Sequence, residues 1–418
     1  MKRVVITGLG AITPLGNNVE AFWSNAIQGK SGAAPITHFD ATNFKTNFAC
    51  EVKGFDPLHY FTKPEARKMD LFTQYAIAAS EECIMDAQLN WNLINRHRFG
   101  VIIATGIGGL ETLEEEILNF GKDRTQPRFN PFFITKMISN MAAGQISIRY
   151  DLKGISYAVA SACAASNNAL GSAFDAIRLG RADLILAGGT EATICQSAIA
   201  GFNAMKALST ANENPDQASR PFDAHRTGFV AGEGAGILLL EELEHAKKRG
   251  AKIYCELVGY GGASDAYHVA ATHPEGEGAI VAMQQALTDA GLQTHEVDYI
   301  NAHATSTPVG DLSECKAIEH LFQDHLTHLN VSATKSMTGH LLGAAGAIES
   351  ILCVKSITEG VLPPTINLTT LDPAISKALN LTPNVAQHKE VKVAMNNTFG
   401  FGGHTSSVIF KKLYAVSL

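Results

Sequence analysis

The sequence predicts an α/β protein built from two equivalent βα halves, residues 1–251 and 252–418, joined at a short connection without a flexible linker. Three observations carry this. Apolar strand-like runs alternate with helical patterns along the whole chain. The 418 residues include 37 glycines and are 46% hydrophobic but only 17% charged, which suits many tight strand-to-helix turns around a large core. The order of elements after residue 251 repeats the order before it, although identity between the halves is weak.

Residues 4–7 read as a buried strand running into Gly8-Leu9-Gly10-Ala11-Ile12-Thr13-Pro14-Leu15-Gly16. Thr13 breaks the glycine spacing of a dinucleotide loop and Pro14 interrupts the helix such a loop opens, which excludes nucleotide binding there. A helix with Phe22, Trp23 and Ile27 on one face follows, then an irregular stretch to about residue 62. From Lys63 a single helix is predicted, with Met69, Phe72, Tyr75, Ala76 and Ala79 at helical spacing. Its first turn is basic, which opposes the helix dipole, so these charges serve either a partner or a solvated face.

Residues 101–105 form a strand that runs into Gly106-Ile107-Gly108-Gly109, and an aromatic segment surrounds Pro131. Residues 155–170 pass from a β-prone run to small residues around Cys163 and into a helix ending near Leu179. A strand at 184–187 ends in Gly188-Gly189-Thr190-Glu191, and the polar stretch 209–228 reads as a long surface excursion. A strand at 235–241 and a charged helix at 242–249 close the first half. In the second half, strands at 253–259, 297–301 and 329–333 alternate with helices at 278–290, 312–322 and 343–357.

A net charge of −7 gives no reason to expect nucleic acid or an anionic membrane as partner. Seven cysteines scattered singly, without a C-x-x-C pair, exclude a disulfide framework and a zinc knuckle. The apolar stretch 341–354 is too short to span a bilayer and contains Glu349, and the N-terminus lacks the apolar region of a signal peptide. The expectation is a soluble cytoplasmic protein.

Cys163 is the candidate nucleophile. At a helix start, free backbone N–H groups and the dipole are expected to lower a thiol's pKa, and Ala162, Ala164, Ala165 and Ser166 leave room for a substrate. The competing reading is an inert buried cysteine. In the second half, three loops at strand ends carry His303, then Lys335 and His340, then Phe399-Gly400-Phe401-Gly402-Gly403. Strand carboxyl ends are where open α/β sheets place ligands, so these loops can converge on Cys163. Two imidazoles and a lysine near a thiol suit chemistry that develops negative charge on oxygen or carbon. A zinc site of His303, Asp311 and Glu314 lacks a usual metal spacing. The glycine-flanked Phe401 fits a backbone donor to an oxyanion and an aromatic gate; the bland reading is a glycine bulge with core rings.

Together, the Cys163 elbow, His303 in Asn-Ala-His-Ala-Thr-Ser-Thr-Pro, Lys335 and His340 in Thr-Lys-Ser-Met-Thr-Gly-His and the Gly-Phe-Gly-Gly loop resemble the elongating β-ketoacyl-acyl-carrier-protein synthases, type II, from Val4 to Lys412. The resemblance implies a thiolase-like fold layered αβαβα, a homodimer, and a decarboxylating Claisen condensation. Cys163 would hold the acyl chain as a thioester, and the backbone N–H groups of Cys163 and Phe401 would hold the oxyanion. His303 and His340 would promote decarboxylation of malonyl carrier protein and stabilise the enolate. Lys335 would orient the site beside Glu349 or Glu314. Thr305 and Thr307 match pantetheine contacts, Ile107, Phe133 and Phe202 match the acyl pocket with Phe133 reaching across the dimer, and Phe399 lies with the substrate-binding set. Lys63, Arg67, Lys68 and Lys206 match the patch that meets the acidic acyl carrier protein. No cofactor is implied, since phosphopantetheine arrives on the carrier protein. No metal is implied beyond a monovalent cation near Asn301 and Glu349.

Three positions depart from the family: Ala304 follows His303 where glycine is usual, Ala164-Ala165-Ser166 follows Cys163 without the usual glycine, and the gate loop continues His404-Thr405. The added methyls are expected to narrow a turn or the pantetheine tunnel. Alternative readings are a condensing enzyme of a specialised polyketide or aryl-polyene-type pathway and a non-elongating partner subunit. Cys163 argues against the partner subunit, His340 against the acetyl-CoA-primed synthases, and a cysteine-free loop at 400–403 against a thiolase.

Overall fold

The computed structural model describes residues 1–414. The first half supplies strands β1 (Val4–Ile12), β2 (Phe99–Ala104), β3 (Ser156–Val159), β4 (Leu184–Glu191) and β5 (Gly234–Glu242). The second supplies β6 (Cys255–Ser264), β7 (Tyr299–Asn301), β8 (Asn330–Ser332), β9 (Val393–Gly400) and β10 (His404–Lys411). All ten join in the order β8-β7-β9-β10-β6-β1-β5-β4-β2-β3. Outward from the centre, each half runs through its own first, fifth, fourth, second and third strands. The outer three are parallel in both halves and the inner pairings antiparallel. The halves meet where β1 pairs with β6, from Val4 opposite Leu257 to Ile6 opposite Cys255.

Six helices position the site: α1 (Leu71–Asp86), α2 (Met141–Tyr150), α3 (Ala165–Arg178), α4 (Glu277–Ala290), α5 (Pro308–Phe322) and α6 (Ala345–Glu359). α6 is buried nearly all round, Glu349 included, which requires cover on opposite faces. It packs on β5 and β9 and against α3, which itself touches β2, β4, β6 and β10. The two helices thus form a middle layer, and its core takes Ile102, Leu170 and Leu238 from the first half with Tyr299, Ile348 and Val408 from the second. One outer core lies under α1 and α2 around Phe72, Phe99 and Leu239, and another under α4 and α5 around Met283, Ile318 and Val331. Three apolar layers divided by two halves of a sheet give αβαβα.

Two expectations need correction. The helix predicted from Lys63 is two: a four-residue helix, Lys63–Ala66, capped by Thr62 and Glu65, and then α1. Asp70 makes the break, because its carboxylate accepts the Phe72 N–H and so caps a new helix start. Arg67 therefore closes the short helix, where the dipole favours a cation, and only Lys63 opposes it. The stretch 209–228 is a surface excursion only in part: 210–217 are exposed or half-buried, whereas Ser219, Phe222, Asp223 and Arg226 are buried. Arg226 pairs with Asp372 at 2.7 Å and Asp311 at 3.5 Å, so the polarity of this stretch marks a buried network. Helix ends moved slightly, with α5 starting at Pro308 and α6 following a 3-10 turn, Leu342–Ala344.

Candidate active site

The β3–α3 connection makes the elbow. Ala162 sits in the left-handed region at φ 50°, a strained conformation for a residue with a Cβ. That kink turns Cys163 toward a cavity of about 450 Å³ while leaving it only 7% exposed. The elbow's partner is Gly400 at the end of β9: a Cβ there would lie 2.9 Å from both Cys163 N and Ser161 O. Glycine is needed at this position for close approach.

Five of the predicted residues converge. His340 Nε2 lies 3.0 Å from Cys163 Sγ. His303 and His340 meet edge to face with ring centres 5.3 Å apart. Backbone straps hold both rings: His340 N donates to Val230 O and Gly232 N donates to His340 O, while Glu314 accepts from His303 N at 2.9 Å and Ala304 N at 2.8 Å. Lys335, 1% exposed, is ion-paired with the fully buried Glu349. Phe399 stands 5.5 Å from His303, and Phe229 stands edge-on to His340 at 5.4 Å.

The thiol's protonation reverses the expectation from the helix start. Burial pushes the Cys163 pKa up to about 12, with Glu191 adding to the rise; the Lys335 charge and the N–H groups of Phe401 and Cys163 oppose it. Desolvation outweighs the dipole because α3 begins only at Ala165, and Cys163 belongs to a buried apolar cluster with Leu208, Phe229 and Leu342. Burial, reinforced by the nearby Lys335 charge, drives both histidines well below their ordinary value, so both imidazoles are neutral. Their Nδ1 atoms have no partner among the described residues, so neither ring is locked to one tautomer. The site is thus a buried thiol, two neutral imidazoles and backbone donors at the sulfur, suited to acyl transfer and to stabilising an enolate.

The cavity is also lined by Ile107, Phe202, Thr305, Thr307, Phe399, Phe401 and Lys206. Phe401 is the first residue of the three-residue turn between β9 and β10 and is 37% exposed. Phe133 does not line the cavity of its own chain and stacks on Phe129 at 5.2 Å. Lys63, Arg67 and Lys68 are exposed away from the cavity wall, although Asp70 beside them accepts the Thr112 N–H, near the Ile107 turn. Asn301 bonds Thr334, and one Glu349 oxygen has no partner among the described residues. Among those residues no cluster of three His, Cys, Asp or Glu could hold a metal, which disposes of a zinc site at His303, Asp311 and Glu314.

The family departures are accommodated differently from expectation. Ala304 is buried in the second-half core and Ala165 in the middle layer, and neither lines the cavity, so their methyls do not narrow it. His404 alone of the changes reaches the cavity wall. Sequence reasoning missed Phe229, Leu342 and Arg226, whose guanidinium donates to Thr307 O and Pro308 O. It also missed Glu191, read only as the end of a strand. A buried acid closing a Gly-Gly-Thr run was the available signal.

Residues 1–246 match the family described as "Beta-ketoacyl synthase, N-terminal domain", and residues 254–369 its C-terminal domain. The chain is 49% identical over 417 residues to a 3-oxoacyl-[acyl-carrier-protein] synthase 2 of Staphylococcus aureus (strain COL), covering 99% of each chain. It is 48% identical over 411 residues to the protein of that name from Synechocystis sp., covering 98% of each. A β-ketoacyl synthase from Burkholderia phymatum superposes with a TM-score of 0.92 at 35% identity, over 99% of this chain and all of that one. A type II polyketide ketosynthase, solved with its acyl-carrier protein and bound to the hexaketide, gives 0.88 at 36% identity over the same shares.

Proposed function

This chain belongs to the β-ketoacyl synthase family, and from that premise we propose that it joins an acyl chain held on Cys163 to malonyl-acyl carrier protein, releasing CO2 and forming 3-oxoacyl-acyl carrier protein. The observation that carries this reading is Cys163 Sγ 3.0 Å from His340 Nε2, with His303 packed against the same ring. In the first half-reaction Cys163 attacks the thioester, its proton passing to His340 Nε2 and on to the departing pantetheine sulfur. The N–H groups of Cys163 and Phe401, already directed at the sulfur, hold the oxyanion. In the second, loss of CO2 from the malonyl group leaves an enolate that His303 and His340 stabilise as N–H donors and that attacks the Cys163 thioester. Neutral imidazoles suit both duties, accepting a proton in one half and donating a hydrogen bond in the other.

Thr305 and Thr307, hydrogen-bonded to each other at 3.1 Å on the cavity wall, receive the pantetheine arm, and Phe401 gates it. Ile107, Phe202 and Phe399 bound the acyl chain. Lys206 at the cavity with Lys63, Arg67 and Lys68 meets the acidic carrier protein, which brings the phosphopantetheine, so the enzyme needs no cofactor of its own. A monovalent cation beside Asn301 and Glu349 belongs to the same reading.

The active form is a homodimer. β3 closes the sheet with one unpaired edge, exposes Tyr157, and has Phe129, Phe132 and Ile134 exposed in the same half of the chain. A second copy adding strand to strand covers this edge and brings Phe133 toward the partner's acyl pocket; light scattering should give the mass of two chains. No helix among the described residues is long and apolar enough to cross a membrane, which fits the cytoplasmic location we assign. Near-half identity over the full length to the two elongating synthases favours fatty-acid elongation over a specialised polyketide pathway.

The test is intact-protein mass spectrometry after incubation with acyl carrier proteins of increasing chain length, followed by peptide mapping. An acyl adduct on Cys163, absent from Cys163→Ala, is expected. Absence of any adduct from every donor would overturn the reading in favour of a non-elongating partner subunit.

A further inference from the structure

Glu191, the last residue of β4, is fully buried and takes no part in the chemistry above. Its carboxylate accepts four hydrogen bonds: Gly106 N at 2.7 Å, Gly343 N at 2.9 Å, Thr105 Oγ1 at 3.0 Å and Ile107 N at 3.3 Å. Thr105 Oγ1 itself accepts from Gly108 N, so its own proton points at the acid. Burial raises the Glu191 pKa above the usual glutamate value, and the four donors oppose that rise by favouring the ionised carboxylate. No cation pairs with it among the described residues, so backbone and hydroxyl dipoles alone compensate a buried charge.

The donors come from two places that never touch in sequence. Thr105, Gly106 and Ile107 follow β2 in the first half, whereas Gly343 lies three residues beyond His340 in the second. The contact is too tight for side chains. A Cβ at Gly106 would stand 2.7 Å from the Glu191 carboxylate, and one at Gly343 would stand 2.8 Å from it and 2.2 Å from Gly106 N. Both segments also supply cavity wall, Gly106 and Ile107 from one and His340 with Leu342 from the other, so where they are held against each other affects the shape of that wall. Leu342 is held in the left-handed region at φ 47°, a strained backbone that its surroundings must hold in place.

We infer that Glu191 is a positioning residue that clamps the Ile107 turn to the His340–Gly343 turn and so sets the width of the acyl channel, making it a determinant of which chain lengths reach Cys163. This rests on the condensing-enzyme reading. The same charge acts on the nucleophile, because a buried anion near Cys163 holds the thiol protonated until His340 removes the proton.

The experiment compares wild type with Glu191→Gln. The amide keeps the volume but turns one acceptor oxygen into a donor facing N–H groups, which pushes the two turns apart. Acylation of Cys163 by a series of acyl carrier proteins, read by mass spectrometry, should shift in chain-length preference by about tenfold between the shortest and longest donors. Alkylation of Cys163 by iodoacetamide should move its pH midpoint downward, since a negative charge has been removed. A loss equal for all donors with an unmoved alkylation profile would overturn the inference. If Glu191→Gln does not fold, Thr105→Val, which removes one donor, decides alone: an unchanged donor preference overturns it. Wild type serves as the check on the underlying reading, because absence of any adduct there defeats the condensing reaction and leaves Glu191 without a channel to shape.

Discussion

Replacing Lys335 by methionine tests how the buried charges of the site are held. Lys335 and Glu349 are both essentially inaccessible and ion-paired, so the substitution leaves Glu349 in the middle layer with no counter-ion, where it must carry an uncompensated charge or take up a proton. Breaking one side of a buried pair costs about 3–5 kcal/mol. With an unfolding entropy of about 2.1 cal/mol/K per residue, a chain of 418 residues should lose about 3–6 °C in Tm. The loss should depend on pH, and its sign follows from linkage. Burial already raises Glu349 from 4.5 to about 7 despite the Lys335 charge, which pulls it down. The folded state therefore binds the proton more tightly than the unfolded one, and stability falls as pH rises from about 4.5 to about 7. Without Lys335 the carboxyl rises past 7, so the decline extends to higher pH and the variant's deficit should widen between pH 7 and 9. Glu314, also raised to about 7 with Lys335 opposing the rise, adds in the same direction. Scanning fluorimetry at a fixed heating rate from pH 6 to 9 measures this. An equal deficit at every pH, or none, would refute the argument that Lys335 compensates these acids; Lys335→Met with Glu349→Leu should recover most of the loss.

Other outcomes follow from the same geometry. His340→Ala should still take up an acyl chain on Cys163, more slowly, whereas release of CO2 from malonyl carrier protein should fall by about 10²- to 10⁴-fold; normal malonyl turnover would remove His340 from the second half-reaction. Gly400→Ala forces a methyl to within 2.9 Å of Cys163 N and Ser161 O, so it should cost about 1–3 kcal/mol and slow acylation. A melting curve and acylation rate both indistinguishable from wild type would mean the elbow yields freely.

Much of the site was legible in the sequence because its residues cluster in short runs at strand ends. Cys163, His303, Lys335, His340 and Phe401 were each marked by an unusual local pattern, and the structure brings them into or beside one cavity. The basic residues matched to a carrier-protein patch and Phe133 were named from resemblance, and the single chain places most of them away from that cavity. Under the proposed function their part depends on a carrier protein and a second copy.

The sequence by itself determined the alternation of strands and helices, the repeat across residue 251 and the types of reactive group. These are local properties of periodicity, turn chemistry and residue identity. Only the tertiary structure decided the thiol's protonation, because desolvation depends on what packs around the sulfur and not on its place before a helix. It also decided that Asp70 splits a predicted helix, that Ser219, Phe222, Asp223 and Arg226 are buried in a polar network, and that Glu191 ties the two halves together. For Arg226 and Glu191 a polar residue finds its partner about 150 positions away, and Asp70, which caps Phe72 locally, also accepts from Thr112, 42 positions on. That separation cannot be read from local pattern.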